Sequence, residues 1–258
     1  MPRIHPTAVV DPAAKLADDV EVGPLAYVGP GVELGPGVVV ANHVSITGLT
    51  RVGARTRIHP FAALGGDPQD KSFAGERTRL EIGADNVIRE GATIHVGTPR
   101  GGGCTRIGDD NLIMNGAHVA HDCQIGSHVI VASFVGLAGH VVVEDHAVLG
   151  AYTGVHQFAR VGESVMTAAN SMLSQDAPPF AMVAGDRARV VGLNTVGLRR
   201  RGFSDDVLRA LKRAFHLLFA SKLRFETARE RVRQELPDVP EVARLLRFLE
   251  SSTRGFCR

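Results

Sequence analysis

The sequence predicts a mainly-β chain, wound as a parallel β-helix of hexapeptide repeats and followed by an α-helical domain. Three observations lead there. Aliphatic residues recur at every sixth position through most of Ile4 to Leu173, with two interruptions, small or β-branched residues commonly follow four positions later, and helical spacing takes over beyond Pro178-Pro179. A period of six fits neither a helix nor the alternation of a long strand. It fits a chain in which each hexad supplies one short strand and one corner, and three hexads close a triangular coil.

The beat begins at Ile4, Val10, Leu16, Val22, Val28, Leu34, Val40, Ile46, Val52, Ile58 and Leu64. Small or β-branched partners stand at Ala8, Ala14, Val20, Ala26, Val32, Val38, Val44, Thr50, Thr56 and Ala62. The aliphatic is expected to point into the prism with the small residue beside it. Gly23, Gly29, Gly35 and Gly53 each follow an aliphatic residue and are expected to let the backbone turn. Stacked coils then pair as parallel strands about 4.8 Å apart. One coil buries too little to stand alone, so many must stack.

The beat resumes at Ile82, Ile88 and Ile94, then runs from Ile107 through Val161, with Leu173 in phase. Residues 65–81 and 98–106, the second containing Gly101-Gly102-Gly103, break it and are expected as loops thrown out from the prism, where function tends to sit. After Pro178-Pro179, Ser204 is a plausible N-cap for a helix with Val207, Leu211, Ala214, Phe215 and Leu218 on one face. A short helical segment is expected around 225–235, and Asp238 with Pro240 opens a last helix buried through Val242, Leu245, Leu246 and Leu249. The expected division is a prism over 1–185 and a helical domain over 186–258, the helices covering the last coil's open strand edges.

Composition sets limits. The 258 residues include 29 Gly and no Trp, so the core is built from small aliphatic units. A net charge of +2 is too near zero to point to nucleic acid. It is unevenly spread: from Arg187 onward 17 Lys and Arg stand against 8 Asp and Glu, while the stretch before it is mildly acidic. No stretch is apolar enough for a membrane span, and the opening Met-Pro-Arg-Ile-His-Pro-Thr has no signal-like apolar core. Three sparse cysteines, Cys104, Cys123 and Cys257, lack metal-type spacing and fit a reducing compartment, so a cytoplasmic protein is expected.

The chemistry concentrates in Ala-His-Val-Ala-His-Asp-Cys, residues 117–123. Val119 is the inward aliphatic and Cys123 takes a small, packed position. His118 and His121 fall at phases the core does not claim and so face outward. An imidazole titrates near neutrality and can take a hydroxyl proton, and Asp122 beside His121 can fix its tautomer. No Gly-x-Ser-x-Gly motif or other activated nucleophile is present, so direct attack by a substrate hydroxyl is favoured over a covalent intermediate. Two further readings stand beside it: a zinc site built on these histidines with a third, as in a carbonic anhydrase on such a prism, and a β-helix serving only as a scaffold.

In its ordered motifs the chain resembles the bacterial acyl-carrier-protein–UDP-N-acetylglucosamine O-acyltransferase family of lipid A synthesis. These are Pro68-Gln69-Asp70 with Ala74-Gly75-Glu76, Ile94-His95, Gly101-Gly102-Gly103, Ala120-His121-Asp122-Cys123, Leu137-Ala138-Gly139-His140, Val155-His156-Gln157-Phe158, Gly197-Leu198-Arg199-Arg200-Arg201-Gly202-Phe203 and Ser252-Thr253-Arg254-Gly255. The resemblance implies a left-handed winding and a homotrimer with active sites between subunits. It implies transfer of an (R)-3-hydroxyacyl group from acyl carrier protein, with no cofactor beyond the carrier's phosphopantetheine and no metal. By the same resemblance His121 is the general base, Asp122 its orienting partner, and the Gly139 N–H the oxyanion donor. Asp70, His95, His118, His140, His156 and Gln157 meet substrate, Asn194, Arg200 and Arg201 hold the nucleotide, and Ala169 sets acyl length. The related UDP-sugar N-acyltransferases are the nearest rival, discounted because the hexads begin at Ile4 without an additional domain before them.

Three positions depart from the family pattern. Lys71 precedes Ser72, where the family commonly has its Lys. Val196 stands where a Glu often meets the ribose. At the ruler position, the small Ala169 predicts a medium-to-long hydroxyacyl chain, slightly shorter than with Gly.

Overall fold

The computed structural model describes residues 1–258. Three parallel sheets form the walls of a prism, with eleven, nine and eight strands. Most strands are two residues long, and up to the last coil each pairs with the strand three further along the chain. Paired residues lie 18 apart in regular coils, as in Ile4↔Val22, Val28↔Ile46 and Val119↔Leu137. The second residue of most two-residue strands is the aliphatic of the beat and points inward; Val28, Ile46, Val119 and Leu137 are each 0% exposed.

Strand register measures the interruptions. Across the first the pairing distance widens to 30 residues, Ile58↔Ile88 and Leu64↔Ile94, twelve more than 18. Across the second it is 25, Ile88↔Ile113 and Ile94↔Val119, seven more. The expected loops 65–81 and 98–106 are therefore too long. Gly65 and Gly66 extend the strand Ala63–Gly66, Arg79–Glu81 belong to Arg79–Ile82, and Cys104–Arg106 belong to Cys104–Ile107. Leu80 and Thr105, each 0% exposed, fill the position that Thr50 fills in the coil before Leu80; the twelve extra residues are two whole hexads and leave Leu80 in phase, whereas the seven shift Thr105 by one.

The corners also differ from expectation. The residue that turns left-handed is the third after most of the aliphatics, and it is mostly not glycine: Leu25, His43, Arg55, Phe61, Asp122, His140 and Phe158 all have φ between 57° and 64°. Such conformations cost a non-glycine residue about 1–2 kcal/mol and persist only where surrounding structure enforces them. The glycines after the aliphatics do another job. A Cβ on Gly23 would lie 3.0 Å from the Ala41 carbonyl carbon, and one on Gly53 would lie 2.4 Å from that of Gly83. They permit close stacking of one coil on the next rather than the turn itself.

Beyond the last coil an antiparallel hairpin, Ala181–Ala184 with Arg189–Leu193, occupies the edge of the eleven-stranded sheet. Helices α1 (Thr195–Arg200), α2 (Asp205–Phe215), α3 (Phe225–Glu235) and α4 (Pro240–Glu250) follow, with a π turn at His216–Ala220. Ser204 caps α2 by accepting the Val207 N–H, and Pro240 opens α4. Val207 packs half-buried against the core as expected, Leu208 is buried beside it, and Leu211, Ala214, Phe215, Leu245 and Leu249 complete the apolar faces. Arg160 pins the helices to the prism, donating to the Phe248 carbonyl at 2.9 Å and to the buried Asp176 carboxylate at 3.0 Å. Ser252 donates to the same carboxylate at 2.8 Å.

Candidate active site

The corner following the nine-stranded sheet brings the conspicuous residues together. Because coils stack in register, His121, Gly139 and Gln157 succeed one another along this corner, as do Asp122, His140 and Phe158, at about 4.8 Å per coil. Asp122 is 3% exposed. Its Oδ2 lies 2.8 Å from His121 Nδ1 and accepts the Thr98 hydroxyl at 2.6 Å, while Oδ1 accepts the Thr98 N–H at 2.8 Å. The Asp122 N–H donates to Thr105 Oγ1 at 2.8 Å. The carboxylate is therefore fixed from three sides and aimed at one imidazole.

The second interruption supplies that cradle. Residues 97–103 do not project from the prism as expected but fold onto Asp122, with a short 3₁₀ turn at Pro99–Gly101. A Cβ on Gly101 would sit 2.0 Å from the Asp122 carboxyl carbon, and one on Gly97 would lie 2.8 Å from Oδ1. The glycine-rich stretch is there so that backbone can close over a carboxylate. Thr98 and Thr105 were not singled out from sequence; the only signal was the placing of a threonine just before Pro99 and the triple glycine.

Gly139 lies against the His121 ring. A Cβ there would be 2.5 Å from Cε1 and 2.7 Å from Nε2. Its N–H donates to no acceptor within the chain. His140 meets His121 edge-on, ring centroids 5.1 Å apart, and stacks on Phe158 at 4.4 Å; its Nε2 is 3.8 Å from Asp122 Oδ2. On the adjoining sheet face His118 Nδ1 is 2.8 Å from Thr93 Oγ1, and His95 meets His118 edge-on at 5.0 Å. Burial pushes the imidazolium pKa of His95, His118 and His140 below the usual histidine range; neighbouring histidine charge adds to this in each, while at His140 the Asp122 carboxylate opposes it. These three favour the neutral ring. Cys123, fully buried, has its thiol pushed up to about 12 by burial and is inert packing.

In the first loop, the Ser72 N–H and hydroxyl both donate to Asp70 Oδ1 at 2.9 Å, which holds the Asp70 carboxyl below its ordinary range, with His121 a smaller contributor. His156 and Gln157 are exposed two coils beyond His121. Ala169 is exposed on a different corner, between the strands of Met166 and Met172.

The residues expected at the nucleotide divide. Arg200 is exposed on α1. Asn194 is 5% exposed and committed inside the chain: Oδ1 caps α1 through the Gly197 N–H and Nδ2 donates to the Ser164 carbonyl at 2.9 Å. Arg201 donates to Glu163 Oε1 at 2.8 Å and to Ser164 Oγ, with its guanidinium over the Phe203 ring. One group of ligand type, His121, Asp122 and His140, has donor atoms within 4.8 Å of each other.

The chain matches the bacterial transferase hexapeptide model at residues 13–48 and 104–139. It matches domain 2 of the UDP-N-acetylglucosamine O-acyltransferase model at 176–257. A curated acyl-[acyl-carrier-protein]–UDP-N-acetylglucosamine O-acyltransferase of Alkalilimnicola ehrlichii is 50% identical, and one from Thermodesulfovibrio yellowstonii 46%, each over all of both chains. The chain belongs to the UDP-N-acetylglucosamine O-acyltransferase family. Solved members superpose closely. The LpxA structure from Acinetobacter baumannii has a TM-score of 0.95 at 41% identity, covering 99% of both chains. The UDP-N-acetylglucosamine acyltransferase of Bacteroides fragilis has 0.96 at 37%, covering 99% of this chain and all of its own. The prism is thus the family's left-handed parallel β-helix, and the helices after it fall within the family's second domain. No helix is long and apolar enough to cross a membrane.

Proposed function

We propose that this acyltransferase moves an (R)-3-hydroxyacyl group from the phosphopantetheine thiol of acyl carrier protein to the 3-hydroxyl of UDP-N-acetylglucosamine, the first step of lipid A biosynthesis. The observation that carries the reading is the His121–Asp122 pair set against the uncommitted Gly139 N–H. With Nδ1–H donated to Asp122, His121 keeps Nε2 as the base. It takes the proton of the sugar 3-hydroxyl as that oxygen attacks the thioester carbonyl carbon. The tetrahedral oxyanion is stabilised by the Gly139 N–H. Collapse breaks the C–S bond, and the imidazolium returns its proton to the departing thiolate. Asp122, buried and triply hydrogen-bonded, steadies the imidazolium meanwhile.

His95, His118 and His140, whose neutral form burial favours, line the cleft as polar contacts for the sugar and thioester, and Asp70 faces them from the first loop. His156 and Gln157 extend the cleft. Arg200 offers an unpaired guanidinium fork to the diphosphate. Asn194 and Arg201, engaged within the chain, support that site through α1 rather than by free side-chain groups. Ala169, flanked by the exposed Met166 and Met172, limits the acyl chain. The enzyme works as a cytoplasmic homotrimer, in which the exposed Phe134, Tyr152 and Phe158 are covered by a neighbouring prism and each cleft is completed between subunits; no further cofactor is required. The full-length relatives' O-acyltransferase names favour this reading over a carbonic anhydrase or a UDP-sugar N-acyltransferase.

The test is mass spectrometry of products from UDP-N-acetylglucosamine, its 3-amino analogue and a panel of hydroxyacyl carrier proteins. Wild-type protein should yield the 3-O-acyl product, and His121→Ala should lower turnover about 10²–10⁴-fold. Near-normal turnover by a folded His121→Ala variant would remove the base from this account.

A further inference from the structure

A second cavity lies beside the same corner. It measures about 910 Å³ and is lined by Arg187, Arg189, Arg254 and Arg258, with His156 on the wall nearest His121. Asp186 is its one acid. Three segments converge to build it. The turn after Ala184 is tied to the last prism strand, the Met172 N–H donating to the Gly185 carbonyl at 3.0 Å and the Ala188 N–H to the Met172 carbonyl at 2.8 Å. The chain after α4 runs beside Ser174–Asp176, the Asp176 N–H donating to the Gly255 carbonyl at 3.0 Å and the Cys257 N–H to the Asp176 carbonyl at 2.8 Å.

The four guanidinium groups are unlike most others in the chain because none pairs with a carboxylate. Arg254 touches His156 Nδ1 at 3.2 Å, and its Nε is buried without an acceptor. Arg258 lies over the Phe225 and Phe256 rings, 4.9 Å from each centroid. Four like charges gathered in one concavity, with a single carboxylate among them, make its potential positive and suit it to an anion.

We infer that this cavity receives the phosphodiester of the acyl donor's phosphopantetheine arm, an inference that rests on the acyl-transfer reading above. Distance decides which substrate's phosphate fits. Gln157 and Gln175 lie two and three coils beyond His121 on this corner, so the cavity wall is roughly 10–14 Å from the base at 4.8 Å per coil. Thirteen bonds separate thioester sulfur from arm phosphorus, about 15 Å at the roughly 1.2 Å per bond of an extended chain. The sugar's first phosphorus is only five bonds from the attacking oxygen, about 6 Å on the same scale. The sugar diphosphate belongs nearer the base; the arm's phosphate reaches the arginines.

The experiment compares wild type with R187A/R189A, both side chains being exposed and free of ion pairs. KM is measured for hydroxyacyl carrier protein, for the same acyl group on free phosphopantetheine, and for UDP-N-acetylglucosamine, with the thermal midpoint as the folding control. The expected result is a ten- to hundredfold rise in KM for both donors, kcat within about threefold, and an unchanged KM for the sugar nucleotide. A rise confined to the intact carrier protein would assign the arginines to the protein's acidic surface instead and overturn the phosphate assignment. A rise for the sugar nucleotide, or for nothing, would overturn it equally. Absence of acyl transfer by wild type would instead defeat the functional reading itself, so the two failures are distinct.

Discussion

Gly139→Ala separates the position of the base from the oxyanion donor, because it adds one methyl and keeps the backbone N–H. The added carbon would stand 2.5 Å from His121 Cε1 and 2.7 Å from Nε2, where ordinary contact begins at 3.4 Å. The ring must therefore retreat by roughly 0.9 Å, while van der Waals repulsion leaves no nearer solution. It can do so without unfolding the prism, since the His121 side chain is 15% exposed and the clash involves no backbone atom. Retreat pulls Nε2 off the substrate hydroxyl and strains the 2.8 Å contact to Asp122. A misplacement of about 1 Å costs on the order of 10² in rate, close to 2.7 kcal/mol of barrier. The assay is kcat from product mass spectrometry at saturating substrates, alongside the thermal midpoint. A hundredfold fall in kcat with a midpoint within a few degrees is expected. Activity within twofold of wild type would show that the ring's placement against Gly139 is immaterial, and the proposed geometry would fail with it.

Asp122→Asn should preserve the Thr98 N–H contact through the amide oxygen but turn an NH₂ toward His121 Nδ1. That forces the proton onto Nε2, the wrong tautomer for a base, and should lower kcat about 10²–10⁴-fold with little change in either KM; nitrogen NMR of the ring reads the tautomer directly, and an unchanged tautomer would contradict the account. Ala169→Gly should shift the preferred hydroxyacyl chain longer by a methylene or two across a donor panel, and an unaltered preference would remove Ala169 as a length determinant. The depressed pKa values of His95, His118 and His140 mean that the unfolded chain binds more protons than the folded one at mildly acid pH. Their contribution to stability is present above the unfolded histidine pKa, about 6.5, and is lost as pH falls through the folded values. The thermal midpoint should decline from pH 7 toward 5, and replacing all three with Asn should flatten that slope; an equal slope in the triple variant would refute it.

Much of this was legible because the prism repeats. A six-residue phase states which residues point inward, and so identified Val119 and Cys123 as core and released His118 and His121 to the outside. Legibility failed where contacts leave the repeat. Thr98 reaches Asp122 across 24 residues, and nothing in a local pattern pairs them. The extra seven residues shift the phase at Thr105 by one, while Leu80 keeps its phase but follows a stretch in which Asp70 and Glu76 stand at the aliphatic positions, so both loops look longer in sequence than they are. Sequence assigns the corner to glycine, whereas its left-handed φ is imposed by stacking on neighbouring coils, which even leucine and phenylalanine obey. Asn194 and Arg201 look like free polar groups in sequence; only the fold reveals the helix N-cap and the buried Glu163 that engage them.

The loop over Asp122 ties readiness for catalysis to a very small piece of structure. Thr98 supplies two of the carboxylate's three side-chain contacts, from a segment held by one 3₁₀ turn and three successive glycines. Lifting that segment would hydrate Asp122 and free its carboxyl to rotate, while every coil of the prism stayed paired. Such a molecule would be fully folded by any global measure and still be an idle enzyme, its readiness set by seven residues rather than by the stability of the β-helix.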